Sequence, residues 1–69
     1  MSLATFQAKI LRKAAALAVP ATFAEMLAWF PRDFRKDGDA DRMLRRLREE
    51  GAIVVVAYRL DGTPAYSVR

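Results

Sequence analysis

From residue 3 to residue 19 the apolar side chains Leu3, Phe6, Ile10, Ala14 and Leu17 recur at helical spacing, while Lys9, Arg12 and Ala16 fall on another face. That period predicts an amphipathic helix over about residues 3–18. Pro20 ends it, because proline has no N–H to continue the hydrogen-bond ladder. The segment TFAE then places Thr22 and Glu25 at the spacing of a capping box, in which each side chain accepts a hydrogen bond from the other's free backbone N–H. Phe23, Met26, Leu27 and Phe30 follow at i, i+3, i+4 and i+7, the stripe of a second helix over about residues 23–30 that stops at Pro31. PRDFRKDGD is expected to be a turn anchored to the core by Phe34.

A third helix is predicted over about residues 39–50, with Asp39 or Asp37 as its N-cap, where a carboxylate suits the positive helix end. Ala40, Met43, Leu44 and Leu47 form its buried stripe, and Asp41, Arg42, Arg45 and Glu49 lie opposite, flanked by Arg46 and Arg48. Gly51 has the place of a C′ residue.

Beyond Gly51 the period changes from helical to alternating. AIVVVAYRL is rich in β-branched residues, Asp61-Gly62 is a turn signal, and AYSVR is the returning strand, so a hairpin is expected over about residues 52–68. Pro64 suits an edge position. Two registers compete, because a slip of one residue exchanges the faces. A two-residue Asp61-Gly62 turn groups Ile53, Val55 and Ala57 with Tyr66 and Val68, whereas a three-residue loop through Thr63 groups Val54, Val56 and Tyr58 with them. Either way Val54-Val55-Val56 leaves apolar side chains on both faces, one of which is free for a partner.

At 69 residues the chain is one domain, 1–69, small enough to bury only ~60% of the surface its unfolded form exposes. Its 12 Lys and Arg against 8 Asp and Glu give a formal charge of +4, which favours polyanionic partners. With no cysteine and no histidine, it has no disulfide framework, no thiolate zinc site and none of the commonest general base. No nucleophile is paired with a base and no glycine-rich phosphate loop is present, so an enzyme, a metal or a cofactor is not expected. The apolar run after Lys9, Arg12 and Lys13 is too short for a secretory leader, and none approaches the ~20 residues of a membrane span. A cytoplasmic protein without membrane contact is the expectation.

Three helices followed by a β-hairpin, in an α+β domain of this length, resembles a winged helix-turn-helix domain. The resemblance lies in TFAEML opening the second helix, DADRMLRRLREEGAI ending in glycine, and VVVAYRLDGTPAYSVR as the wing, and it covers nearly the whole chain. It implies double-stranded DNA as the partner, with the third helix in the major groove and the wing on the backbone. By that implication Arg42, Arg45 and Arg46 face DNA, and Arg59 with the tip from Leu60 to Thr63 contacts it from the wing. Arg32, Arg35 and Lys36 form a second basic cluster suited to phosphates. Lys9, Arg12 and Lys13 are expected to be the wet face of the first helix, with phosphate or membrane contacts as the other roles.

The implied function is that of a small sequence-specific DNA-binding protein, a bacterial or phage-type transcriptional regulator. A lone domain offers little recognition surface, which makes a homodimer on a palindromic site a candidate. The alternative is a winged-helix protein-interaction module or inhibitor that binds an acidic or apolar surface through Trp29, Val54, Val56 and Tyr58. The acidic start of the third helix and the triple valine support it.

Overall fold

A computed structural model describes residues 3–69, which form the elements α1 (Leu3–Ala16), β1 (Ala21–Thr22), α2 (Phe23–Leu27), α3 (Arg32–Lys36), α4 (Asp39–Glu49), β2 (Ile53–Tyr58) and β3 (Pro64–Val68). The domain is α+β, with four helices among the described residues rather than the three expected. None of these helices is long and apolar enough to cross a membrane.

Helix ends follow local hydrogen-bond chemistry. Thr22 caps α2 as anticipated: its Oγ1 accepts from the Glu25 N–H at 3.1 Å, and Glu25 Oε1 accepts from the Thr22 N–H at 2.9 Å. The helix is shorter than predicted, because Trp29 and Phe30 donate three residues back, to Met26 and Leu27, in a tightened turn. The residue before proline avoids helical geometry, so Phe30 leaves the ladder one step ahead of Pro31. Similarly α1 ends at Ala16, not residue 18, and Leu17 is left 42% exposed instead of joining the buried stripe. The expected core position Leu3 lies outside the residues whose side chains are described.

The extra helix, α3, occupies the segment expected to be a turn. The Pro31 carbonyl accepts from Phe34 and Arg35, Asp33 sits in the first turn, and Arg35 and Lys36 sit in the last, all in keeping with the helix dipole. Gly38, at φ 80°, ends this turn and begins the next helix, and its carbonyl accepts from the Arg42 N–H. The N-cap of α4 is therefore Gly38 and not Asp39 or Asp37, because a left-handed backbone here suits glycine. At the other end Gly51, at φ 78°, donates to Arg48 and Ala52 donates to Leu47. These two bonds make a Schellman closure.

The strands make one antiparallel sheet in the order β1-β3-β2. β1, not anticipated, pairs Ala21 with Tyr66 and Thr22 with Ala65. The hairpin loop is the three residues Leu60 to Gly62, closed by Arg59 N–H to Thr63 O at 2.8 Å, with Gly62 at φ 89°. An irregularity between Val55 and Ala57 then shifts the pairing by one, so that Ile53 faces Val68 and Val55 faces Tyr66. The loop is three residues long but does not run through Thr63, and neither expected set forms whole: Ile53 and Val55 face Val68 and Tyr66, whereas beyond the bulge Ala57 faces Ala65.

The core lies between α4 and the other elements. Met26, Ala40 and Leu44 are fully buried, with Leu47, Ile53, Ile10, Phe30 and Tyr66 around them. Phe6 joins α1 to the α2–α3 region, stacking on Phe30 at 5.3 Å and meeting Phe34 edge-on at 5.5 Å. Phe34 is half-buried against this core, as expected of its anchoring role. Leu44→Ala should lower unfolding stability by about 2–5 kcal/mol, whereas Leu60→Ala at the exposed hairpin tip should stay within ~0.5 kcal/mol. Urea denaturation of the two variants checks this, with equal losses counting against the core assignment.

Candidate nucleic-acid interface

Burial of Ala40, Met43, Leu44 and Leu47 turns the remaining face of α4 outward. Arg42, Arg45 and Arg46 accordingly point away from the core, with side chains 68%, 62% and 79% exposed. Each has a carboxylate one turn away. Arg42 donates to Asp39 and, at 3.3 Å, to the Asp37 carbonyl. Arg45 pairs with Asp41 at 2.8 Å and Arg46 with Glu50 at 3.0 Å.

The fourth arginine of the helix is committed to the fold. Arg48 lies over the Phe23 ring, 5.4 Å from its centroid, and donates to the Tyr66 hydroxyl at 3.4 Å. That hydrogen bond raises its pKa above the ordinary arginine value.

Arg59 has a similar structural task. Its guanidinium donates to Glu25 Oε1 at 2.7 Å and to the Pro20 carbonyl at 2.8 Å, which fastens the root of the hairpin to the start of α2. The hairpin tip beyond it is apolar and acidic. Leu60 is completely exposed, and Asp61 accepts from the Thr63 N–H at 2.9 Å. Hydrogen bonds from the Thr63 hydroxyl and then from its backbone N–H hold the Asp61 carboxyl below its ordinary pKa.

Formal charge is divided unevenly along the chain. Residues 1–36 carry six cations against two carboxylates, whereas residues 37–69 carry six against six. The whole excess of +4 therefore belongs to the first half, and α4 with its C-cap Glu50 is neutral, four arginines against four acids. Arg32, Arg35 and Lys36 are exposed on α3, as are Lys9, Arg12 and Lys13 on α1. Among the described residues the ion pairs involve Arg42, Arg45, Arg46 and Arg59 and none of these six. The cue for α1 was present in the sequence: no acidic residue lies within a turn of Lys9, Arg12 or Lys13.

The four candidate partner residues do not share one environment. Trp29 is half-buried beneath Lys13, whose Nζ stands 5.0 Å from the indole centroid. Val54 is half-buried, while Val56 and Tyr58 are 54% and 70% exposed on the outer hairpin. Trp29 also lines an open groove of about 520 Å³ with Leu17, Val19, Ala28 and Arg59.

Comparisons with protein-family models, curated proteins and solved structures find no match to this chain. The geometry above is therefore the whole basis for a functional reading.

Two outcomes follow at the hairpin. Arg59→Ala should cost about 1 kcal/mol, the usual net worth of a part-exposed charged hydrogen bond. It should also speed hydrogen exchange at the Arg59 and Gly62 amides, and unchanged exchange would contradict the fastening role. For Asp61, a folded pKa below the unfolded one means its contribution is present above about pH 4 and fades as pH falls through the folded value. An NMR titration of the Thr63 amide should accordingly show a midpoint below that of an ordinary aspartate.

Proposed function

We propose that the protein is a winged-helix DNA-binding module, with α4 as the helix that enters the major groove and the β2–β3 hairpin as the wing. The observation that carries this reading is the sheet order β1-β3-β2, with β1 between the first two helices and the hairpin directly after α4. In that arrangement the β1 pairing anchors the hairpin beside α4, and the arginine face of α4 is left uncovered. The short α3 fills the connection ahead of the recognition helix. A small transcriptional regulator of bacterial or phage type is the function that fits a domain of this kind, binding as a monomer or as a homodimer.

The ion pairs on α4 do not oppose the proposal. Each exposed pair one turn apart is worth ~0.3–0.5 kcal/mol. A bidentate arginine contact to guanine gives ~1–3 kcal/mol of discrimination, so an arginine can exchange its carboxylate for a base edge. Asp39 and Asp41 hold Arg42 and Arg45 extended along the helix surface in the meantime.

A second reading has its own observation. Val56, Tyr58 and Leu60 expose apolar surface along the outer hairpin, which suits a winged-helix module that docks on another protein. The two readings differ in one measurement. Selection from a random duplex pool at low salt should enrich a defined sequence, and Arg45→Ala should weaken binding to it by about 1–3 kcal/mol. Failure of the protein to bind any duplex at low salt, together with loss of a co-purifying protein on Tyr58→Ala, would favour the interaction module instead.

A further inference from the structure

Among the described residues the cations without a carboxylate partner are Lys9, Arg12 and Lys13 on α1, Arg32, Arg35 and Lys36 on α3, Arg48, which is engaged with Phe23 and Tyr66, and Arg69 after β3. Lys9 and Lys13 are one turn apart with Arg12 beside them, so α1 carries three like charges and no acid to relieve them. On α3 the exposed Arg32, Arg35 and Lys36 outnumber Asp33. The two sets are joined through aromatic contacts. Lys13 sits over Trp29, three residues ahead of Arg32, and Phe6 of α1 meets Phe34 of α3 at 5.5 Å. The two neighbouring helices therefore carry six exposed cations against Asp33 alone, with Lys13 at Trp29 between them.

We infer that the face formed by α1 and α3 around Trp29 carries the phosphate backbone of double-stranded DNA, while α4 adds base contacts without net charge. This rests on the DNA-binding reading and assigns the surface that supplies its attraction. A neutral helix cannot draw in a polyanion over a distance, whereas six unpaired cations displace condensed counterions from the duplex. Arginine also meets phosphate through two parallel N–H groups. An anionic lipid surface fits less well, because a helix lying on a membrane needs bulky apolar residues free to enter it. In α1 Phe6 is engaged with Phe30 and Phe34, Ile10 is 3% exposed, and the outward positions among the cations include Ala8, Ala15 and Ala16.

The test measures affinity for a labelled mixed-sequence duplex by fluorescence anisotropy across a salt series. Three variants are compared with the native chain: K9Q/R12Q/K13Q on α1, R32Q/R35Q/K36Q on α3, and the charge-balanced D41N/R45Q on α4. All replaced side chains on α1 and α3 are exposed, and thermal melts confirm that each variant is folded. The slope of log K against log salt should shrink in magnitude by about 0.9 for each phosphate contact removed, hence by about 2–3 in each of the first two variants. D41N/R45Q, which removes a base-contacting arginine and its acid together, should bind more weakly at every salt concentration but with the native slope. Trp29, the only tryptophan in the sequence, should change its emission when duplex is added.

Native slopes in both folded α1 and α3 variants would overturn the assignment while leaving duplex binding itself intact. Failure of the native chain to bind duplex would remove the DNA-binding reading as well. Binding to phosphatidylserine–phosphatidylcholine vesicles in place of duplex would overturn the assignment in favour of a membrane surface.

Discussion

The organisation of this domain depends on burying one narrow stripe. Ala40, Met43, Leu44 and Leu47 all lie at 6% exposure or less, and Met26, Ile53 and Tyr66 belong to the same cluster. In a chain of 69 residues there is little other apolar area to spend, so the rotation of α4 about its axis is not free. A helical period of 3.6 then decides everything on its surface. With the stripe inward, Arg42, Arg45 and Arg46 must face out. Acids placed three or four residues from them must lie alongside.

The same constraint separates two kinds of arginine that composition counts as one. Arg48 and Arg59 are drawn into the fold, one by the Phe23 ring and Tyr66, the other by Glu25 and Pro20. Glu25 Oε1 is a shared acceptor, taking both the Thr22 N–H of the capping box and the Arg59 guanidinium. One carboxylate oxygen thus links the start of α2 to the root of a hairpin more than thirty residues away. Removing Glu25 would free a helix start and the hairpin root together, although neither bond is strong at this exposure.

Much of this was legible from local pattern. The stripe of α4, the Thr22–Glu25 box and the left-handed Gly51 each depend on residues within one or two helical turns of one another, and all three formed as read. What was not legible depends on distant partners. α3 has a single core side chain, Phe34, and five residues show no period; its place is set by Pro31 and by the Phe6 ring from α1. β1 is two residues long and exists because β3 lies beside it. The bulge between Val55 and Ala57 has no composition signal, yet it decides which hairpin face holds Tyr66. The Arg59–Glu25 contact is likewise invisible to spacing rules, and it explains why an arginine expected on the wing contacts the body of the domain.

Arginine density is therefore a poor guide to where a polyanion is attracted. RMLRRLREE has the highest concentration of arginine in the chain, but Asp39, Asp41, Glu49 and Glu50 reduce its helix to zero net charge. Screening confines an exposed ion pair to short range, since its field beyond ~8–10 Å in physiological salt is that of a weak dipole. Such a helix can discriminate at contact, where an arginine exchanges one oxygen acceptor for another, but it cannot steer. Attraction over distance falls to helices with an excess of cations, and both α1, which has no acid, and α3, where three cations stand against Asp33 and its C-cap Asp37, meet that condition. On the proposed DNA-binding reading, a division between a neutral surface and a basic one lets specificity and affinity change separately, since substitutions on α1 or α3 alter the counterion term without touching the outward geometry of α4.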